Sequence, residues 1–173
     1  YDKDKLTSDE FIVRNDVECD FTALDDKTYQ IKNGDLCVTV DNKVCCLGGI
    51  MGGKNCQVDE NTKNVIVESA NFLDSTIRRT SVRIGLSSES SAHFVKGIDP
   101  YQDEEVLSLA ANLLVELADA KIIYKTNRYT TLDYSEIEIP CSYSYINKRL
   151  GYEFSVEQMN DVFRRLDIKI KNI

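Results

Sequence analysis

The sequence predicts an α+β fold: an antiparallel-rich β-sandwich or barrel-like core with packed helices, followed by a short helical segment. Three observations point there. Short β-branched runs separated by Asp, Asn and Gly turns fill the first third of the 173 residues. After residue 73 the apolar period lengthens to that of a helix. Pro140 then precedes two further helical stretches, each opening on a serine. A chain of 173 residues can bury one sizeable core and begin a second, so residues 1–135 are expected to form one domain and 136–173 the start of a helical module.

Taken in order, Phe11-Ile12-Val13-Arg14 reads as a strand and is followed by a polar stretch. Asp25-Asp26 turns into a strand at Tyr29-Gln30-Ile31, and Asn33-Gly34 turns into one at Leu36 to Val40. Asp41-Asn42 separates that strand from Val44-Cys45-Cys46-Leu47, which feeds a glycine-rich loop. Val65-Ile66-Val67-Glu68 reads as a buried strand ending on a carboxylate. Asp74 or Ser75 can cap a helix with Ile77, Val82 and Ile84 on its apolar side, and Gly85 suits its C-cap. A strongly periodic helix is expected from about Asp103 to Asp119; its face of Val106, Leu107, Leu109, Ala110, Leu113, Leu114 and Leu117 is read as core. A strand at Lys121 to Tyr124 and a polar connector through Glu138 follow. Beyond Pro140, Ser142 to Leu150 reads as a helix stopped by Gly151, and Ser155-Val156-Glu157-Gln158 as a capping box opening a helix to about Leu166.

Composition narrows the function. A net charge of −8 argues against a broad, sequence-independent nucleic-acid surface, so no DNA partner is expected and any RNA contact must be local. The six cysteines contain no Cys-x-x-Cys pair, and the single histidine, His93, is far from most of them in sequence, which argues against a zinc site and for reduced, buried thiols. No run is long and apolar enough to cross a bilayer, and the N-terminus lacks the order of a signal peptide. A cytoplasmic protein with no membrane partner is expected.

Four of the eight glycines fall in Cys46-Leu47-Gly48-Gly49-Ile50-Met51-Gly52-Gly53-Lys54-Asn55. The spacing of Gly48, Gly53 and Lys54 mimics a phosphate-binding P-loop, but Asn55 replaces the magnesium-holding hydroxyl and no helical period follows. Two readings remain from the residues alone: a ligand-binding loop, or a tight turn between two strands. Glu68 is likewise either a carboxylate delivered to that loop or a strand-end glutamate facing solvent.

A third segment, Gly85-Leu86-Ser87-Ser88-Glu89-Ser90-Ser91-Ala92-His93-Phe94-Val95-Lys96-Gly97-Ile98-Asp99-Pro100, joins the glycine loop and Val65-Ile66-Val67-Glu68-Ser69-Ala70. In this order and spacing the three resemble the editing and tRNA-binding region of the bacterial phenylalanyl-tRNA synthetase beta subunit. Tyr1-Asp2 resembles the end of that family's His-Ala-Phe-Asp sequence, with Tyr in place of Phe, and Ile139 to Ile168 resembles the start of its next module.

The resemblance implies hydrolysis of mischarged tyrosyl-tRNA(Phe). It implies a pocket lined by Gly49 and Gly52, with Glu68 accepting the phenol and Ser88 and Ser90 on the wall. Ser90 stands where the family has alanine, and His93 where it has arginine, so His93 is read as a packing or surface residue. With no credible nucleophile–base pair, water is the expected nucleophile, and loop amides are the expected oxyanion donors. The expected partners are the tRNA(Phe) acceptor end and the synthetase alpha subunit, in an α2β2 enzyme whose ATP and magnesium serve phenylalanine activation elsewhere; no cofactor or metal is expected in this piece. The family's pocket histidine precedes Tyr1, so the isolated piece is expected to be weak or inactive. From another class, the competing reading is a non-catalytic tRNA-docking or scaffold module in which Arg78, Arg79 and Arg83 touch phosphate. Plain chemistry also leaves Ser88 and Ser90 open to a capping or ST-turn role.

Overall fold

The computed structural model describes residues 1–123, 126–131, 133 and 135–171, and divides into two compact units, Tyr1–Tyr129 and Thr130–Ile173. In the first unit, strands β1 (Ile12–Arg14), β4 (Cys37–Val40), β5 (Lys43–Leu47) and β6 (Met51–Gly52) form an antiparallel sheet in the order β1-β4-β5-β6. A separate antiparallel pair joins β2 (Cys19–Thr22) and β3 (Thr28–Ile31). The class is α+β as expected, but the sheets are not closed into a barrel: β1 and β6 remain edges of the larger sheet, which meets the smaller pair at an isolated Ala23–Gly53 bridge.

Local chemistry accounts for the hairpins. Val40 pairs with Lys43 across Asp41 and Asn42, both at positive φ (46° and 63°), the two-residue arrangement that matches the twist of antiparallel strands. Strand β2 occupies what reads in sequence as a polar stretch. Its period of two survives in burial, with Phe21 inward and Asp20 and Thr22 outward, but two apolar residues among charges are too few to announce it.

The main core gathers Phe21, Ala23, Ile31, Cys37, Val44, Leu47, Ile50 and Ile77; a smaller cluster of Val40, Cys45 and Cys56 packs with Tyr1, Leu6 and Phe11. The cysteines are free. Cys37, Cys45 and Cys56 are buried, whereas Cys141 is exposed, against the expectation of buried thiols throughout.

Helix α1 (Asp74–Ile84) puts Ile77 into the core at 1% exposure and ends on Gly85 at φ 67°, whose N–H bonds the Ser81 and Val82 carbonyls. Two details differ from expectation. Its N-cap is Leu73, without a side-chain cap, and Asp74 instead lies in the first turn where the helix dipole favours an acid. Val82, expected on the apolar side, is 78% exposed.

Helix α2 (Glu89–Phe94) follows, then α3 (Asp103–Ala118) after a 3-10 turn at Pro100–Gln102. The predicted extent of α3 holds, with Asp119 in the left-handed conformation at its end, but no residue of α3 is buried. Leu107, Ala110 and Leu114 are half-buried while Val106, Leu109, Leu113 and Leu117 are exposed, so its apolar face is not core of this unit. Lys121 to Ile123 form no strand, and Tyr124 lies outside the described residues.

In the second unit, α4 (Tyr143–Leu150) is capped by Ser142 and stopped by Gly151 at φ 69°. Helix α5 (Val156–Arg165) opens on the reciprocal Ser155–Gln158 capping box. Among the described residues no helix is long and apolar enough to cross a membrane.

The first residues are clipped to residues 56–66. The Asp2 N–H donates to the Cys56 carbonyl at 3.0 Å, the Asp2 carboxylate accepts from the Thr62 hydroxyl at 2.7 Å, and Lys5 Nζ reaches the Asp59 carboxylate at 2.6 Å. The Thr62 bond holds the Asp2 carboxyl below the usual carboxylate range, and the Lys5 bond does the same for Asp59. A depressed folded value means stability that is full above about pH 4 and lost as pH falls further. Thermal melts between pH 6 and pH 2 should show that acid-linked loss, and Thr62→Val should shrink it; parallel profiles for the two proteins would remove the clip from the account.

Candidate functional site

The glycine segment is a tight turn between β5 and β6. Cys46 pairs with Gly52 and Leu47 with Met51, while the Ile50 N–H closes the turn on the Leu47 carbonyl at 2.9 Å. Gly49 sits at φ 67°, in the region that favours glycine, and a Cβ there would lie 3.1 Å from both Ile77 Cδ1 and Phe94 Cγ. Gly49 therefore faces the core. Gly52 differs: a Cβ would meet the Leu24 side chain alone, with Cδ1 at 3.0 Å.

Ser88 and Ser90 reach this turn from α2. The Ser88 hydroxyl donates to the Ile50 carbonyl at 2.6 Å, and the Ser90 hydroxyl to the Gly49 carbonyl at 3.0 Å. Ser88 is also the helix N-cap, accepting from the Ser91 N–H at 3.0 Å in a capping box. The serine run thus caps a helix and braces the turn at once. His93 is exposed on the same helix.

Residues 65–68 do not form the buried strand expected of them. Val65 makes a single antiparallel bridge to Asp2, and Val65, Val67 and Glu68 are exposed. Among the described residues only one partner segment lies alongside, and it pairs for too short a run to build a ladder: Tyr1 exchanges two 2.9 Å bonds with Ile66, and the Lys3 N–H reaches the Asn64 carbonyl at 2.9 Å. That pairing carries the Tyr1 ring to the carboxylate, and its hydroxyl donates to Glu68 Oε2.

The Cys46 thiol lies beside the same phenol. Burial pushes the Tyr1 phenol well above the ordinary range, and the Cys46 and Glu68 charges push it the same way. Burial likewise raises Cys46 to about 12, with Glu68 adding to the effect. Because Cys46 is the cross-strand partner of Gly52, the cluster of Tyr1, Glu68 and Cys46 adjoins Gly52, while Ser88, Ser90 and Gly49 form a second group where the turn meets α2. Sequence reasoning named Glu68 but missed Tyr1, whose contact depends on a pairing 65 residues away.

The oxyanion expectation is narrowed by the turn's own bonding. The Gly48, Ile50 and Gly53 amides already donate to the Leu36, Leu47 and Cys45 carbonyls at 2.8, 2.9 and 2.7 Å, so they are committed to the fold.

The three arginines lie on α1 beside an open recess of about 590 Å³ lined by Asp74, Ser75, Arg78, Arg79, Val82 and Arg83. Arg78 donates to the Val95 carbonyl at 3.1 Å. Arg83 donates to the Gln30 carbonyl at 3.1 Å and pairs with the buried Asp35 carboxylate. Arg79 is exposed.

Residues 1–119 match the family described as the B3/4 domain. The chain is 35% identical over 167 residues to the phenylalanine–tRNA ligase beta subunit of Streptococcus thermophilus, covering 96% of the chain and 21% of that protein. It is 38% identical over 144 residues to the beta subunit of Streptococcus pneumoniae, covering 83% and 18%. With that of Bacillus thuringiensis subsp. konkukian it shares 35% over 167 residues, covering 96% and 21%. The chain spans about a fifth of the length of these relatives.

Proposed function

The chain belongs to the B3/4 domain family, and from that premise we propose that it edits for a phenylalanine–tRNA ligase, hydrolysing the ester of mischarged tyrosyl-tRNA(Phe). In this reading its partners are the tRNA acceptor end and the synthetase alpha subunit of an α2β2, cytoplasmic enzyme. Activation of phenylalanine with ATP and magnesium is assigned to the other subunit. No cofactor is assigned to this chain.

The observation that carries the reading is that Glu68 already accepts a hydrogen bond from a phenol. Tyrosine differs from phenylalanine by that hydroxyl alone. An apolar synthetic pocket rejects an added hydroxyl by only about 10², whereas a second site that hydrogen-bonds that hydroxyl has the opposite preference, by about the ten- to hundredfold that one bond to a charged acceptor supplies. Water is the nucleophile. The Ser88 and Ser90 hydroxyls are engaged by turn carbonyls, and His93 is exposed on α2, so neither of these serines is paired with a base.

A second reading, a tRNA-docking module without chemistry, is favoured by the packing of Gly49 against Ile77 and Phe94 and by the arginine-lined recess on α1. One experiment separates the two: deacylation of tyrosyl-tRNA(Phe) and phenylalanyl-tRNA(Phe) by the full-length subunit in its assembled enzyme, with and without Glu68→Ala. Loss of one bond to a charged acceptor should cost about 1.5–3 kcal/mol, a ten- to hundredfold fall in tyrosine selectivity. Equal cleavage of both esters by the wild type would end the editing role of Glu68.

A further inference from the structure

We propose that Tyr1 is a built-in competitor for Glu68: its phenol holds the carboxylate until an incoming aromatic side chain displaces it. The inference rests on the editing reading above and adds a gate to it. Tyr1 presents the same functional group that a tyrosyl ester would present, donating to the same acceptor, Glu68 Oε2. Three contacts place it there. Its backbone exchanges two 2.9 Å bonds with Ile66, two residues before Glu68. Its ring stacks at a tilt on Phe11, with centroids 5.2 Å apart. Its hydroxyl also lies beside the Cys46 thiol, whose cross-strand partner is Gly52.

The Glu68 side chain faces solvent while the Tyr1 ring is half-buried against Phe11, so the bond can open by rotation of a side chain, without unfolding of the strand pairing. An internal competitor lowers the apparent affinity of every ligand that must displace it by the ratio of occupied to open states. Any aromatic ester therefore breaks the Tyr1–Glu68 bond on entry, but only one with a phenol replaces it. Competition of this kind sets the working affinity without changing the preference for tyrosine, which stays with Glu68.

The test is steady-state deacylation by the full-length subunit in its assembled enzyme, using tyrosyl-tRNA(Phe) and phenylalanyl-tRNA(Phe), with wild type, Tyr1→Phe, Glu68→Ala and the double variant. Tyr1→Phe keeps the ring against Phe11 and removes only the hydroxyl, and a melting curve checks that the fold is intact. The expected result is a fall in KM for both esters of about ten- to hundredfold, with kcat and the tyrosine-to-phenylalanine ratio unchanged. In the Glu68→Ala background the Tyr1→Phe effect should vanish, since the two residues act through one bond. An unchanged or raised KM in Tyr1→Phe, with Glu68→Ala still lowering selectivity, overturns the gate and leaves the editing reading standing. A changed ratio in Tyr1→Phe makes Tyr1 a positioning residue and also overturns the gate. Selectivity untouched by Glu68→Ala overturns both.

Discussion

Replacing Gly49 with alanine is expected to lower the stability of the first unit by about 2–5 kcal/mol, adding the cost of a left-handed conformation to that of overpacking. Both costs are present at this position. The residue sits at φ 67°, and a Cβ would stand 3.1 Å from Ile77 Cδ1 and from Phe94 Cγ. Ile77 is 1% exposed and cannot move out of the way without disturbing the core. The carbonyls of Gly49 and Ile50 are further tied to Ser90 and Ser88, so a shift of the turn breaks those bonds as well. For a chain of this size the drop corresponds to about 5–15 °C in Tm.

The control is Gly52→Ala. Its added carbon meets only the Leu24 side chain, with Cδ1 at 3.0 Å, and Leu24 is 47% exposed, with room on its solvent side to give way. A loss under about 1 kcal/mol is expected. Thermal melts of the two variants therefore separate a turn glycine from one kept small for a ligand: a collapsed Gly49→Ala beside a wild-type-like Gly52→Ala is the expected pair. Equal melts would show that the turn tolerates side chains at both positions. Deacylation by the assembled Gly52→Ala enzyme then asks whether the ring of a substrate needs the space that the fold does not.

The elements that were legible in the sequence are those whose cause is local. Gly85 and Gly151 stop helices because the left-handed cap needs no Cβ, and Ser155 with Gln158 forms a reciprocal cap within four residues. Asp41-Asn42 makes its hairpin for a similarly local reason. What was not legible depends on partners distant in the chain. Val65 to Glu68 has every mark of a strand, yet among the described residues only the Tyr1–Lys3 segment lies alongside it, and Val65, Val67 and Glu68 stay exposed. The period of α3 dictates an apolar face but not the surface that meets it, and none of its residues is buried. At the site, the serine run by itself suggested a capping role and the family resemblance a pocket wall. The observed geometry has Ser88 capping α2 while both Ser88 and Ser90 hold the glycine turn.

The remaining large effect concerns Asp35, which is 4% exposed and accepts three bonds: from the Thr80 hydroxyl at 2.8 Å, from the Lys32 N–H at 2.8 Å and from the Arg83 guanidinium. Asp35→Ala removes the acceptor from all three. Arg83, about a third exposed, can turn to water, but the Thr80 hydroxyl at 1% exposure cannot. Allowing for that hydration of Arg83, the expected loss is about 2–4 kcal/mol. Arg83→Met leaves that buried carboxylate charge with only the Thr80 and Lys32 donors and should cost at least as much. The consequence reaches the expected RNA contacts: Arg83 is tied into the fold, so its loss should appear as lowered stability in denaturant melts, whereas Arg79→Ala should leave the melt unchanged and weaken tRNA binding if the α1 recess receives phosphate. Wild-type stability in Asp35→Ala would contradict the network, and a wild-type melt with weakened tRNA binding in Arg83→Met would return Arg83 to the RNA surface.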